Sequence, residues 1–308
     1  MRARLQMLLV AVVLTCLPTL ARADYSLGGA FRHPGYGARA WGMGGAAVAT
    51  VDDESAVYWN PAMLALVRGS TIGASYVNLV QGTTSQQSQL AYVHVIARNR
   101  GEGGRDSARH VAGLLYTNIN LGIAESNSYN ENLLRLVYAF TPEHFISVGF
   151  SLEAFFSTSD VDNFGGKGTT VDGSLRLQLT ENTTVGLVVR DAFSRYSFDD
   201  GADFQKERNW TLGIGFAGLP FVSIEGDAVY DHGGVSRLVA GAETDYIFGH
   251  LALRAGGSSL RSGTSRTVMH AGLSVRALAE RLNLHYNYNL DEATAFEDTH
   301  RFTLSFVL

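Results

Sequence analysis

The chain has 308 residues, a formal net charge of −5 and a single cysteine. Charged residues make up 17% of it, while 34 glycines and 13 tyrosines stand out. So low a charged fraction is unusual for a soluble protein. The modest negative charge leaves no electrostatic footprint for nucleic acid, and one cysteine leaves no disulfide framework and no Cys-based metal site.

Taken in order, the chain opens like a secretory signal. Arg2 and Arg4 supply a positive start, Leu5 to Leu17 an apolar stretch, and Ala21-Arg22-Ala23 a small-residue cleavage site, so residues 1–23 are expected to be removed. The apolar stretch is too short for a spanning helix, which needs ~20 residues. Cys16 falls inside it, so the mature chain is expected to carry no thiol. No later apolar run is long enough to span as a helix. If this chain crosses a bilayer, a closed β-barrel is the route left to it, because lipid leaves no unpaired backbone group solvated.

Residues 24–68 follow no simple period. Gly28-Gly29, Gly42 and Gly44-Gly45 permit tight turns and close packing. Trp41, Met43 and Trp59, with Phe31, offer apolar surface among these small residues. Asp52-Asp53-Glu54-Ser55 reads as a helix start, its acids favoured by the helix dipole. Asn60-Pro61-Ala62 reads as an N-cap followed by proline at the first helical position, predicting a short helix from Pro61 to Val67.

After Gly69 the period changes to two. Arg281, Asn283, His285, Asn287 and Asn289 fall on one face of a strand, with Leu282, Leu284, Tyr286, Tyr288 and Leu290 on the other. Such segments approach the ~9–11 residues of a tilted membrane strand. About fourteen of them, starting near Gly69, Gln86, His110, Asn132, His144, Thr169, Thr183, Arg208, Pro220, Ser236, Gly249, Arg266, Arg281 and Asp298, make an all-β chain, an antiparallel transmembrane barrel. Connections alternate between short turns (such as Thr141 to His144) and longer polar stretches at Leu121 to Glu131, Ser157 to Gly168, Ser194 to Lys206, Ser258 to Ser265 and Asp291 to Glu297. Arg98 to Arg109 fits poorly, since a long basic stretch falls where a short turn is due. The mid-strand charges take the parity opposite to the bulky apolar residues of their own strands. This points them into a lumen, because an Arg or Lys on the lipid face near mid-bilayer costs ~2–4 kcal/mol.

In composition and order, Gly37 to Ala62 resembles the N-terminal hatch of the FadL family of outer-membrane channels. The related PorV/PorQ-like barrels carry a similar run of small residues, an acidic turn and an aromatic before Asn-Pro-Ala. The resemblance implies a bacterial outer-membrane barrel (69–308) around an N-terminal hatch (24–68), with Trp41, Met43, Trp59, Asn60, Pro61 and Ala62 in the hatch. It implies passive uptake of a hydrophobic small molecule, a long-chain fatty acid or similar, through a wall facing outer-membrane lipid. The PorV/PorQ-like alternative implies a scaffold or shuttle for secreted proteins.

Site residues follow from parity. Glu225, Asp227, Arg237, Glu243, Asp245 and Arg254 are expected to form a lumen-facing network of opposite charges on three successive strands, bracing wall against hatch. His270 and His285 are expected to face the same lumen on neighbouring strands. No His or Glu spacing suits zinc, and no cofactor motif is present. A Ser274–His270 pair on one strand face lacks an orienting acid, so catalysis is not expected.

Overall fold

The computed structural model describes residues 35–79, 85–99, 107–124, 127–160, 165–199, 201, 203–262, 264–290 and 299–308. The expected signal peptide, Gly28-Gly29, Phe31 and the Asp291 to Glu297 stretch lie outside the described residues.

Two short α-helices, α1 (Ala38–Gly42) and α2 (Ala56–Trp59), and a 3₁₀ helix (Pro61–Leu66) precede the strands. The strands are β1 (Thr71–Asn78), β2 (Gln86–Asn99), β3 (Ser107–Ala124), β4 (Asn127–Glu143), β5 (Ile146–Ser159), β6 (Gly166–Gln178), β7 (Thr183–Phe198), β8 (Asp203–Phe204), β9 (Asn209–Leu219), β10 (Val222–Asp231), β11 (Gly234–Thr244), β12 (Leu251–Ser262), β13 (Thr264–Ala277), β14 (Leu282–Leu290) and β15 (Thr299–Val307). Each pairs antiparallel with its sequence neighbour, except that β7 pairs β9 directly and the two-residue β8 caps the end of β7. β1 pairs β15, which closes a fourteen-strand barrel with β8 outside the ring. Closure leaves no edge strand, the condition for a sheet surrounded by lipid.

The wall is inverted relative to a soluble domain. Phe150, on β5, is 58% exposed, whereas Arg135, on β4, is 1% exposed. Along β15, Phe302 and Leu304 point out while Arg301, Thr303 and Ser305 are buried. Tyr76 on β1 and Tyr286 on β14 flank Phe302 on the outer face, an aromatic cluster of the kind that lines membrane interfaces. The parity read from sequence therefore sorts the side chains correctly.

Three local expectations change. Leu121 to Glu131 and Ser258 to Ser265 are not simple loops: β3 and β4 remain paired out to Ala124↔Asn127, and β12 and β13 out to Ser262↔Thr264. Here polarity marks the ends of long strands standing in water, where Asn118 donates to Asn130 (3.1 Å) and Asn132 (3.0 Å) across the ladder. Among the fourteen strands of the ring, length accordingly ranges from 8 residues in β1 to 18 in β3. Of the awkward Arg98 to Arg109 stretch, residues 100–106 lie outside the described residues, while Arg98 and Asn99 end β2 and Ser107 to Arg109 begin β3, with Asn99 paired to Ser107. In β7, parity fails at a bulge: Asp191 has φ 54° and the register with β6 slips, so Arg190 and Asp191 are both buried.

Leu304→Arg, midway along β15 on the outer face, is expected to destabilise the barrel in a bilayer by ~2–4 kcal/mol. Urea unfolding from lipid vesicles reads this, and an unchanged midpoint would contradict the assignment of that face to lipid.

Candidate functional site

The segment from Gly35 to Val67 packs against inward-facing residues around most of the ring. Its backbone amide groups, rather than its side chains, make many of the contacts. Ala47 N donates to Asp227 Oδ2 (3.1 Å) and Ala49 N to Glu225 Oε1 (2.5 Å), with the Thr50 hydroxyl on the other Glu225 oxygen. Across the ring, Ala38 N donates to Thr303 Oγ1 (2.8 Å), and the Gln87 and Gln89 amides reach the Gly35 carbonyl (3.2 and 2.8 Å). Arg190 donates to the Tyr58 carbonyl (2.9 Å) while its guanidinium lies 4.5 Å from the Tyr58 ring centre.

Such proximity needs bare wall. Gly186 and Gly213 face each other across β7 and β9, and Gly241 and Gly256 across β11 and β12. A Cβ on Gly186 would overlap the Val48 carbonyl, one on Gly256 the Met43 carbonyl carbon, and one on Gly149 would sit 2.5 Å from Ala62 N. The wall presents a glycine-paved band to the segment, with Glu225 and Asp227 of β10 in the gap between its two glycine pairs.

The Asn60-Pro61-Ala62 expectation matches the structure. Asn60 Oδ1 accepts from Ala62 N (3.0 Å), and Pro61 takes the first position of the 3₁₀ helix, which ends at Leu66. Asn60 does more than cap: its Nδ2 donates to the Val48 carbonyl (2.6 Å) and toward the Leu175 carbonyl of β6 (3.3 Å), tying two turns of the segment to the wall. Trp59 donates from Nε1 to the Tyr36 carbonyl (2.8 Å) and meets Trp41 edge-on at 5.7 Å. Trp59, Met43, Asn60, Pro61 and Ala62 are all buried, and Trp41 partly so.

The charge network differs from the expected one. Glu225 and Asp227 do not pair with Arg237 or Arg254. Glu225 stands opposite Gly241 and Gly215, and Asp227 opposite Val239 and Gly213, so neither has a guanidinium in register. They bind the segment's backbone instead. Glu243 is the bridge: it accepts from Arg254 of the adjacent strand and from Nη2 and Nε of Arg39 (2.7 and 2.9 Å) in α1. Arg39 also contacts Asp52 and reaches Asp53 at 2.8 Å. It is the sole cation between Gly35 and Val67 and faces the acidic run of its own segment, a signal present in the sequence and missed there. Arg237 sits farther along β11 toward the long-loop end, away from Glu243. Asp245 falls one residue beyond β11, is exposed, and donates its N–H to the Phe221 carbonyl in a turn (2.8 Å), so it leaves the network.

Burial pushes the Asp53 carboxyl up, but the Arg39 guanidinium more than offsets this and holds it below the usual range. Burial, with Asp53 alongside, pushes Glu54 well above that range.

The histidines separate. His285 contacts the Ser274 hydroxyl, its cross-strand neighbour, and that hydroxyl also receives Arg254. Ser274 is wholly buried. His270 instead lies beside Trp41, ring centres 5.6 Å apart. Strand register, invisible to single-strand parity, decides this pairing. Among the described residues no cluster of His, Cys, Asp or Glu is placed to hold a metal.

Two concavities flank the segment. A cavity of about 580 Å³ at the short-turn end is lined by Arg39, Asp53, Glu54, Glu243 and His285. A recess of about 560 Å³ lies on the outer face over Leu175, Leu187, Leu212, Ile214, Ala228 and Leu238. It backs onto the strands whose inward glycines, Gly186 and Gly213, let the wall draw in toward Val48.

Removing the Arg39 fork with Arg39→Gln is expected to weaken seating of the segment by roughly 2–3 kcal/mol. The readout is maleimide labelling of an Ala47→Cys reporter in a chain whose one other cysteine is removed by Cys16→Ser, expected to speed by one to two orders of magnitude at that cost. Equal labelling rates would show that the ion pairs do not hold it.

No family model matches the chain, and a search of curated proteins found no match. Solved structures do match. The CymD monoaromatic hydrocarbon channel superposes with a TM-score of 0.64 at 16% identity, over 90% of this chain and 97% of that one. A Pseudomonas aeruginosa FadL homologue gives 0.61 at 12%, over 88% and 98%. The Pseudomonas putida toluene transporter TodX gives 0.55 at 16%, over 88% and 96%. With its closed ring, apolar exterior and charged lumen, this chain is a bacterial outer-membrane β-barrel with the fold of the FadL-type channels.

Proposed function

We propose that the chain is a passive, non-enzymatic channel that takes small hydrophobic molecules across the outer membrane, with residues 24–68 acting as a hatch within the barrel 69–308. The observation that supports this best is the seating of Gly35 to Val67 against the inner wall of a FadL-type barrel. A solute entering from outside meets Trp41, Trp59 and Met43 before the charged cavity at the short-turn end. That cavity is a poor resting place for an apolar molecule, because its lining is rich in Arg39, Asp53 and Glu243. The outer recess over Leu187, Leu212 and Ile214 offers an apolar alternative facing acyl chains. Sideways release into the membrane suits this distribution of polarity. The compounds named for the similar structures, toluene and other monoaromatic hydrocarbons, are the natural first solutes to try, ahead of long-chain fatty acids.

Vesicles carrying the purified protein are expected to take up labelled toluene several-fold faster than empty vesicles. Rates equal to those of empty vesicles, together with co-purification of a secreted protein, would favour the scaffold role implied by the PorV/PorQ-like resemblance.

A further inference from the structure

On the outer face, β2 to β4 carry three layers of side chains between mid-barrel and the short-turn end. Leu114, Leu136 and Leu152 share one ladder row that continues onto β5. The next row toward the short turns runs His94, Ala112, Tyr138. The Tyr92 hydroxyl contacts Nδ1 of His94 at 3.2 Å with the two rings stacked, and the Tyr138 hydroxyl contacts Nδ1 of His110 at 2.6 Å. His110 stacks in turn on Phe140, ring centres 5.0 Å apart. Ala112 contributes only a methyl group, so the two His–Tyr pairs stand on either side of a low point in the wall. Past them, where β2 ends and β3 begins, Arg98 and Arg109 are exposed.

Among the described residues, neither arginine is paired with an acid. Arg98 donates to the backbone carbonyls of Val67 (3.5 Å) and Arg68, which fix its guanidinium without neutralising it. Arg68, by contrast, is paired with Glu280 (3.0 Å). Short turns elsewhere on this rim carry Glu143, Glu181, Asp245 or Glu280, whereas the described ends of β2 and β3 carry two arginines and no acid. Over the whole of Arg98 to Arg109 the sequence has four arginines against Glu102 and Asp106, an excess of positive charge. Leaving a leaflet from its middle, one meets acyl chain, then glycerol ester, then phosphate. Leucine, His–Tyr pair and arginine follow the same order along this wall. Aromatic rings with a polar tip settle at that boundary, and the planar fork of arginine matches phosphate oxygens. Short turns of bacterial barrels face the periplasm, so the leaflet concerned is the periplasmic one.

We propose that Arg98, Arg109, His94, His110 and Tyr138 form a docking site for an anionic phospholipid of the periplasmic leaflet. Its phosphate takes the two guanidinium groups, its glycerol region sits over Ala112 between the ring pairs, and its chains lie along the leucine row. An imidazole whose Nδ1 is engaged by tyrosine keeps its other nitrogen for a ligand oxygen. The site is on the outside of the wall and does not depend on what crosses the lumen.

The test is native mass spectrometry of the purified protein in nonionic detergent with equimolar dioleoyl phosphatidylglycerol and dioleoyl phosphatidylcholine. The anionic lipid is expected to be retained about tenfold or more over the zwitterionic one, at roughly fivefold for each arginine, and less so at high salt. Arg98→Gln combined with Arg109→Gln is expected to bring the two lipids to near-equal retention. Arg98→Lys combined with Arg109→Lys is expected to keep a clear preference, and Arg281→Gln, on another short turn, to leave it unchanged. Equal retention of both lipids by the wild type overturns the proposal, an outcome that needs no variant to fold. So does a preference that survives the double glutamine variant, or one that falls as far in Arg281→Gln. Displacement of the lipid by equimolar inorganic phosphate would assign the patch to a soluble phosphate and overturns it too. A wild-type preference for the anionic lipid without toluene uptake in vesicles defeats the channel reading and leaves this site standing.

Discussion

A carboxylate on the inner wall of a barrel sits in a medium where leaving it unpaired is expensive, and for three of them in this chain a partner comes from the N-terminal segment. Glu225 and Asp227 accept backbone N–H groups of Ala49 and Ala47, and Glu243 accepts Arg39. The dependence is mutual. Met43 to Ala46 donate to carbonyls of their own segment, but Ala47 and Ala49 find their acceptors on the wall. Glycine pairs on β7, β9, β11 and β12 set the distance at which this exchange works. With side chains at those positions the segment would be pushed off the carboxylates and both partners left unsatisfied.

The same contact shapes the outside of the barrel. Where inward glycines let β7 and β9 approach Val48, the lipid face becomes concave over Leu187, Leu212 and Ile214. Bulky residues elsewhere keep the exterior convex and greasy, as lipid requires. Packing against the segment and the shape presented to the membrane are thus two sides of one sheet deformation, on the same strands.

Much of the fold was legible because lipid imposes a strict rule on each strand separately. Parity in Arg281 to Leu290 or Arg301 to Val307 needs no knowledge of neighbours, and the segment starts read from it lie within a few residues of the observed strands. Asn60-Pro61 was legible for a similar reason, since capping is local. What escaped notice depends on register. Ser274 meets His285 across the ladder rather than His270 on its own strand. Glu225 and Asp227 lack guanidinium neighbours because glycine or valine occupies the facing positions. The bulge at Asp191 turns that residue inward beside Arg190 with no neighbouring glycine or proline to announce it.

The account stands on the claim that residues 24–68 close the lumen. Ionic conductance across a planar bilayer measures this most directly, comparing the full mature chain with one lacking those residues. The full chain is expected to be electrically quiet and the shortened chain to hold a steady open-pore current. A full chain that already conducts like an open pore would contradict it.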